Sequence, residues 1–197
     1  PKVYGIEVLR ASSKPTSGTG GIEEARKGQP YAISRDLWGA KPPKGPYDPQ
    51  TPKRITQHHT AGRYPTTLED SVTEMRIIQD YHQNGRKWND IGYHFLIDPA
   101  GRIFQGRPVG ALGAHVLSNN ADNVGISLMG SYHPPRNDAL TPEQIEAIRK
   151  LGAWLRETYR ISPDLYQGHR DFNAGTDCPG DVVYARLKEI RDSFRAE

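Results

Sequence analysis

Three β-rich stretches and three segments of helical periodicity predict an α/β fold of the mixed α+β kind, a central mixed β-sheet flanked by about three helices. The stretches "KRITQHHT" (53–60), "GYHFLIDPAGRIFQG" (92–106) and "NVGISLMGSY" (123–132) carry the apolar and β-branched content of strands. "DPAG" in the middle stretch is a hairpin turn signal, so two neighbouring strands run antiparallel there. The first helix spans 67–84, where Leu68, Val72, Met75, Ile78 and His82 share one face and Gly85 ends the pattern. The second spans 141–160 and opens on "TPEQ": Thr141 caps, Pro142 occupies the first turn and Gln144 closes a capping box. Its inner face is Ile145, Ile148, Leu151 and Leu155. The third, 181–195, repeats apolar residues at Val183, Leu187, Ile190 and Phe194, a stripe that faces a core.

A chain of 197 residues, 35% hydrophobic and 25% charged, suffices for one well-buried domain. Residues 11–21, "ASSKPTSGTGG", are too small and polar to bury surface and read as a linker. The organisation expected is an extension over residues 1–30 and a compact domain over 31–197. No apolar run approaches the roughly 18 residues that suggest a membrane span, so no membrane insertion is expected. The chain opens on Pro1 rather than Met, which leaves removal of a signal segment open. A net charge of +3 and a pI near 9.0 suit a polyanionic partner. No dense Lys/Arg run singles out nucleic acid, and none is expected as a partner. A monomer is the expected state.

Cys178 is the only cysteine, which excludes an internal disulfide, and it stands in the polar run "GHRDFNAGTDCPGD" (168–181) rather than in a core pattern. His169 lies in the same run, and thiolate and imidazole are both zinc ligands. A third donor comes from "ITQHHTAG" (55–62), which ends a predicted strand on adjacent histidines. Successive strand side chains point to opposite faces, so only one of His58 and His59 can join a shared site. Two imidazoles and one thiolate leave a fourth zinc position open for water, the pattern of a catalytic rather than a structural site.

These motifs together resemble the zinc-dependent N-acetylmuramoyl-L-alanine amidases of the peptidoglycan recognition protein type (type 2 amidases). The resemblance runs through "SRDLWGA", "HHTAG", "WNDIGYHFLIDPAGRIFQGR", "GAH" with "NVGISLMG", and "GHRDFNAGTDCPGD", over residues 33 to about 190. It implies a peptidoglycan recognition protein-like amidase fold and one Zn²⁺ per chain, held by His58, His169 and Cys178. It implies catalytic roles for Tyr93, beside the metal, and for Thr176, two residues before the thiolate. His115 and Asn120 match positions that line the groove for the muramyl peptide, or else serve as a loop hydrogen bond and a turn residue. Arg107 either meets a stem-peptide carboxylate or is a solvated hairpin arginine. Asp171 either orients His169 or caps a loop, and Trp88 either floors the groove or covers the core.

The implied reaction is hydrolysis of the lactyl amide between N-acetylmuramic acid and L-alanine in bacterial peptidoglycan. Amides are poor electrophiles, so the reaction needs an activated water and polarisation of the carbonyl, which zinc supplies. Tyr93 and Thr176 hydroxyls can donate to the developing oxyanion. The implied location is secreted or at the cell envelope, or phage-encoded and acting on a host wall. Animal members carry a cysteine pair shortly after "HHTA", whereas this chain has "GRYPTTLEDS", which points to a bacterial or phage member. One rival reading is a peptidoglycan-binding module without catalysis. Binding-only members typically lose the thiolate, and Cys178 is present. A second rival is a protein–protein regulator, for which no residue pattern speaks.

Overall fold

The computed structural model describes residues 28–195. The expected extension over 1–30 lies, but for its last three residues, outside the described residues. A six-stranded sheet forms the centre, in the order β1-β4-β3-β5-β2-β6. The strands are β1 (Ala32–Ile33), β2 (Arg54–His59), β3 (Phe95–Ile97), β4 (Ile103–Gln105), β5 (Asn123–Leu128) and β6 (Tyr166–Gly168). Only the β3–β4 pair is antiparallel; every other neighbouring pair is parallel. The sheet is therefore mixed, as the pattern of elements predicts.

The antiparallel pair follows from its turn. Asp98 Oδ1 accepts the N–H groups of Ala100 and Arg102, both at 3.0 Å, and Asp98 Oδ2 accepts from Ser71 Oγ at 2.7 Å. Gly101 sits at φ +76°, and a Cβ there would come within 2.6 Å of the Glu143 carbonyl oxygen, so only glycine fits.

Helices cover both faces. On one face α3 (Pro142–Tyr159) and α5 (Leu187–Ser193) bury Ile148, Leu151, Leu155 and Ile190 against Ile55, Val124, Ile126 and Leu128 of the sheet. The predicted capping box is present: Thr141 Oγ1 accepts the Gln144 N–H at 3.1 Å, and Gln144 Oε1 accepts the Thr141 N–H at 3.2 Å. On the other face the short α1 (Arg35–Trp38) and α2 (Leu68–Asp80) pack Trp38, Met75 and Ile78 on Leu96 and Phe104. This second cluster draws on β3 and β4 but on no residue of β2 or β6. There the strands present Thr56 and His58 from β2 and Gly125 and Ser127 from β5, with His58 opposite Ser127. A parallel sheet is normally apolar on both faces, so buried polar side chains in its middle mark a working surface.

The helices depart from their predicted bounds in two places. The segment 67–84 is α2 followed by a π turn, Tyr81–Gly85, closed by the Arg86 N–H on the Tyr81 carbonyl at 2.9 Å. Such widened turns recur at functional sites, and here Tyr81 and His82 line the groove described below. The segment 181–195 breaks into α4 (Asp181–Tyr184) and α5, where the Arg186 N–H reaches back only three residues, to the Val183 carbonyl. The apolar stripe survives the break, and Val183, Leu187, Ile190 and Phe194 all remain buried.

Buried His94 links the sheet to the neighbouring loop. Its Nδ1 accepts the Gly125 N–H at 2.9 Å and its Nε2 donates to the Ala111 carbonyl at 2.8 Å. Burial lowers its pKa from 6.5 to about 4. The unfolded chain therefore binds the extra proton between those values, so stability is full above pH 6.5 and falls as pH drops toward 4. His94→Gln keeps an acceptor and a donor but does not titrate. Thermal melts between pH 7 and 4.5 should show the variant losing less stability than wild type, by up to about 1.4 kcal/mol per pH unit. Parallel pH profiles for the two chains would disprove this assignment.

Candidate active site

His58 and His169 leave the carboxyl ends of the adjacent parallel strands β2 and β6, where ligand sites of parallel sheets form. Their rings stand 4.7 Å apart between centroids. Cys178 reaches the same point from the loop after β6, with Sγ 3.4 Å from His58 Nδ1. One donor atom each from His58, His169 and Cys178 falls within 4.8 Å of the others, and this is the sole such cluster among the described residues.

The cysteine loop is held from several sides. The Cys178 carbonyl accepts the Arg170 N–H at 2.9 Å, and the Cys178 N–H donates to Thr176 Oγ1 at 3.3 Å. Gly180, at φ +88°, lets the loop press on the Tyr132 carbonyl, which a Cβ would approach to 2.4 Å. Arg170 pairs with Asp181 at 2.8 Å and covers the Tyr184 ring. His133 reaches Asp177 and Asp181, each at 3.2 Å.

The electrostatics suit a cation. Burial holds His58 well below 6.5, reinforced by His115 and His169, and burial also lowers His169. Both imidazoles are thus neutral and able to donate lone pairs. Burial pushes the Cys178 thiol up to about 12, against the lowering effects of the His59 backbone hydrogen bond and of Arg170. A thiol in that setting becomes a thiolate at neutral pH when a divalent cation coordinates it. Two neutral imidazoles and one thiolate fit zinc, and the three donors leave further positions open.

His59 points to the opposite face. It is buried beside Tyr132, whose N–H it accepts at Nδ1 at 3.1 Å, and takes no part in the cluster. His59→Ala is expected to cost about 1–3 kcal/mol, because it orphans that buried N–H, and to retain zinc. Melting curves with metal analysis check both halves; a zinc-free His59→Ala chain would contradict the assignment.

A groove of about 510 Å³ adjoins the cluster. Its lining comes from α2 and the π turn (Ile78, Tyr81, His82), from Arg86 and Trp88, from the 114–120 loop, and from Tyr93 and His169. The Arg86 guanidinium stacks over the rings of both Tyr81 and Trp88. Tyr93 packs its ring 5.2 Å from that of His58. Burial, with the nearby Cys178 charge, raises its phenol well above the ordinary value, so the hydroxyl keeps its proton.

The remaining predicted residues divide. Asn120 lines the groove, yet its Oδ1 accepts the N–H groups of His115 and Val116 at 2.8 and 2.7 Å, so its Nδ2 donors are what it can offer a ligand. His115 also borders the groove but is buried. Thr176 accepts the Cys178 N–H and does not line the groove; its hydroxyl hydrogen is not used in that bond. Arg107 lies elsewhere. It is 6% exposed and donates to the carbonyls of Ile91 (2.6 Å), Leu112 (2.7 Å) and Asp90 (3.2 Å), so it ties loops together instead of meeting a substrate carboxylate. Asp171 does not touch His169 either: its oxygens accept from the Gly168 N–H and the Tyr184 hydroxyl, which makes it the loop cap. Trp88 is a groove residue. Tyr81, His82 and Arg86 also line the groove; of these only His82 carries a sequence signal, its place in the helix stripe, and that signal points to a core rather than a groove.

The fold and the cluster define a class: an α/β domain with a His₂Cys donor set opening on a polar-aromatic groove. The N-acetylmuramoyl-L-alanine amidase family (Amidase_2) matches residues 48–181, and the chain belongs to that family. Peptidoglycan-recognition protein SC2 of Drosophila simulans is 35% identical over 132 residues, 66% of this chain and 70% of its own. Among solved structures, peptidoglycan recognition protein-LE in complex with tracheal cytotoxin, a monomeric diaminopimelic acid-type peptidoglycan, is similar at TM-score 0.74 and 31% identity. That match covers 80% of this chain and 92% of the other. The N-acetylmuramoyl-L-alanine amidase LysC from Clostridium intestinale is similar at TM-score 0.70 and 27% identity, covering 85% and 99%.

Proposed function

We propose that this chain is a zinc-dependent N-acetylmuramoyl-L-alanine amidase that cleaves the amide between N-acetylmuramic acid and L-alanine in peptidoglycan. The observation that carries the reading is the convergence of His58, His169 and Cys178 within 4.8 Å beside the groove. Family membership and the tracheal cytotoxin complex of a similar structure support peptidoglycan as the ligand. When bound, zinc supplies a Lewis acid for the scissile carbonyl and a water acidic enough to attack at neutral pH.

The chain's own residues do the rest. The groove holds the muramyl peptide, with Trp88 and Tyr81 offering apolar faces and Arg86 a cation. Tyr93, kept protonated by burial, donates its hydroxyl to the oxygen that gains charge as the tetrahedral centre forms. Thr176 adds a second, weaker donor from the loop that carries Cys178. Acting on wall material places the protein outside the cell, at the envelope, or in a phage that lyses its host. No helix among the described residues is long and apolar enough to cross a membrane.

The binding-only reading differs in one observable. Purified protein incubated with peptidoglycan should release stem peptides with free L-alanine amino termini and leave glycan strands bearing lactyl carboxylates, both identified by mass spectrometry. Sedimentation with wall material but no released peptide would establish binding without hydrolysis.

A further inference from the structure

A chain of hydrogen bonds runs from His58 into the sheet backbone. His58 Nε2 lies 2.9 Å from His115 Nδ1, and His115 Nε2 lies 3.0 Å from the Asn123 carbonyl oxygen. A carbonyl oxygen only accepts, so the hydrogen in the second bond is on His115 Nε2. A neutral imidazole carries one N–H, which leaves His115 Nδ1 as an acceptor. The hydrogen of the first bond therefore belongs to His58 Nε2. That leaves His58 Nδ1 bare, and Nδ1 is the nitrogen that faces Cys178 Sγ at 3.4 Å. A cationic His115 would reverse this order and put a hydrogen on His58 Nδ1. It is disfavoured because the ring is buried with no carboxylate among its partners.

The surroundings fix the His115 ring in that pose. A Cβ on Gly113 would come within 2.5 Å of its Cδ2, and one on Gly125 within 2.8 Å of its Cγ, so two glycines make the cradle. Asn120 Oδ1 holds the backbone N–H groups of His115 and Val116. The far end is anchored too: Asn123 Oδ1 accepts from the Thr56 hydroxyl at 2.8 Å, and its Nδ2 donates to the Asn119 carbonyl at 2.8 Å. With both ring nitrogens committed, His115 has no polar atom to spare for a substrate in the groove.

We infer that His115 is a positioning residue, which fixes His58 as the Nε2–H tautomer and presents Nδ1 to the metal. The inference rests on the zinc reading of the same site. Groups hydrogen-bonded to metal-ligating histidines fix ring orientation and raise ligand basicity, and losing one typically weakens metal binding about 10–100-fold.

Two measurements test it. Long-range ¹H–¹⁵N NMR of the zinc-free wild-type chain should show His58 and His115 both protonated at Nε2. Zinc affinity, measured by competition with a chelator, should fall about 10–100-fold in His115→Phe, which keeps a ring but has no acceptor. It should recover most of the way in His115→Asn, whose Oδ1 stands where Nδ1 stood. A His58 that carries its hydrogen on Nδ1, or a His115→Phe chain that binds zinc as tightly as wild type, overturns the inference. If His115→Phe does not fold, the wild-type tautomers decide. A wild-type chain that takes up no zinc while His58 reads as Nε2–H overturns the zinc reading and leaves the tautomer assignment supported.

Discussion

Cys178→Ala is expected to lose zinc and hydrolysis together while keeping its fold. The thiolate is the only anionic donor in the cluster, and two neutral imidazoles alone hold Zn²⁺ weakly. Four-ligand zinc sites bind with about 10–16 kcal/mol, so one ligand is worth on the order of 3 kcal/mol, roughly a hundredfold or more in affinity. The loop does not depend on the sulfur: the Cys178 carbonyl and N–H make the bonds to Arg170 and Thr176, and both survive the change. Melting curves of the zinc-free proteins should therefore lie close together. Metal analysis and turbidity of a wall suspension then read the chemistry. Full zinc occupancy with undiminished lysis would remove Cys178 from the site.

The signals that carry from sequence to structure are local ones. The capping box of α3 needs only Thr141 and Gln144, three positions apart, and it forms as read. The hairpin at Asp98–Gly101 follows from turn residues, and the separation of His58 from His59 follows from strand alternation. β6 could not be seen in this way. It is three residues, Tyr166–Gly168, and is a strand only because Ile55, Thr56 and Gln57 of β2 pair with it. The short β1 and α1 depend likewise on distant partners: Ala32 pairs with Ile103, and the Trp38 indole donates to the Gln105 carbonyl.

Side-chain direction in loops is the other blind spot. Asp171 stands between His169 and Cys178 and Arg107 ends the "GRIFQGR" stretch, and for charged residues in such runs an outward, ligand-facing role is attractive. Both instead satisfy backbone groups that no local element pairs, Arg107 three carbonyls and Asp171 an N–H. The family resemblance places His115 near the groove but cannot show that its ring turns inward onto His58. Gly113 and Gly125, twelve residues apart, make the room for it, and only the fold brings them together. The His58, His169 and Cys178 cluster is legible for the opposite reason: few residue types bind zinc, so a lone thiol, His169 and the adjacent His58 and His59 stand out, and the family resemblance chooses His58.

Tyr93→Phe is expected to keep fold, zinc and wall binding but to lower turnover by about 10²–10³. The ring packs against His58 and His82, 5.2 and 5.7 Å between centroids, and phenylalanine preserves that packing. What disappears is one hydroxyl hydrogen, which burial keeps on the oxygen across the working pH range. A donor aimed at charge that exists only in the transition state contributes to turnover and little to ground-state binding. The groove contacts from Trp88, Tyr81, Arg86 and Asn120 are untouched, so co-sedimentation with insoluble wall should match wild type. Thr176→Ala should fall in the same direction but less far, since its hydroxyl stands outside the groove lining and water can take its place. Turnover and sedimentation on one preparation of each variant separate the outcomes. Full turnover in Tyr93→Phe would make the residue a packing element. Joint loss of wall binding and turnover would make it a substrate contact, and the transition-state donor would then have to be another group.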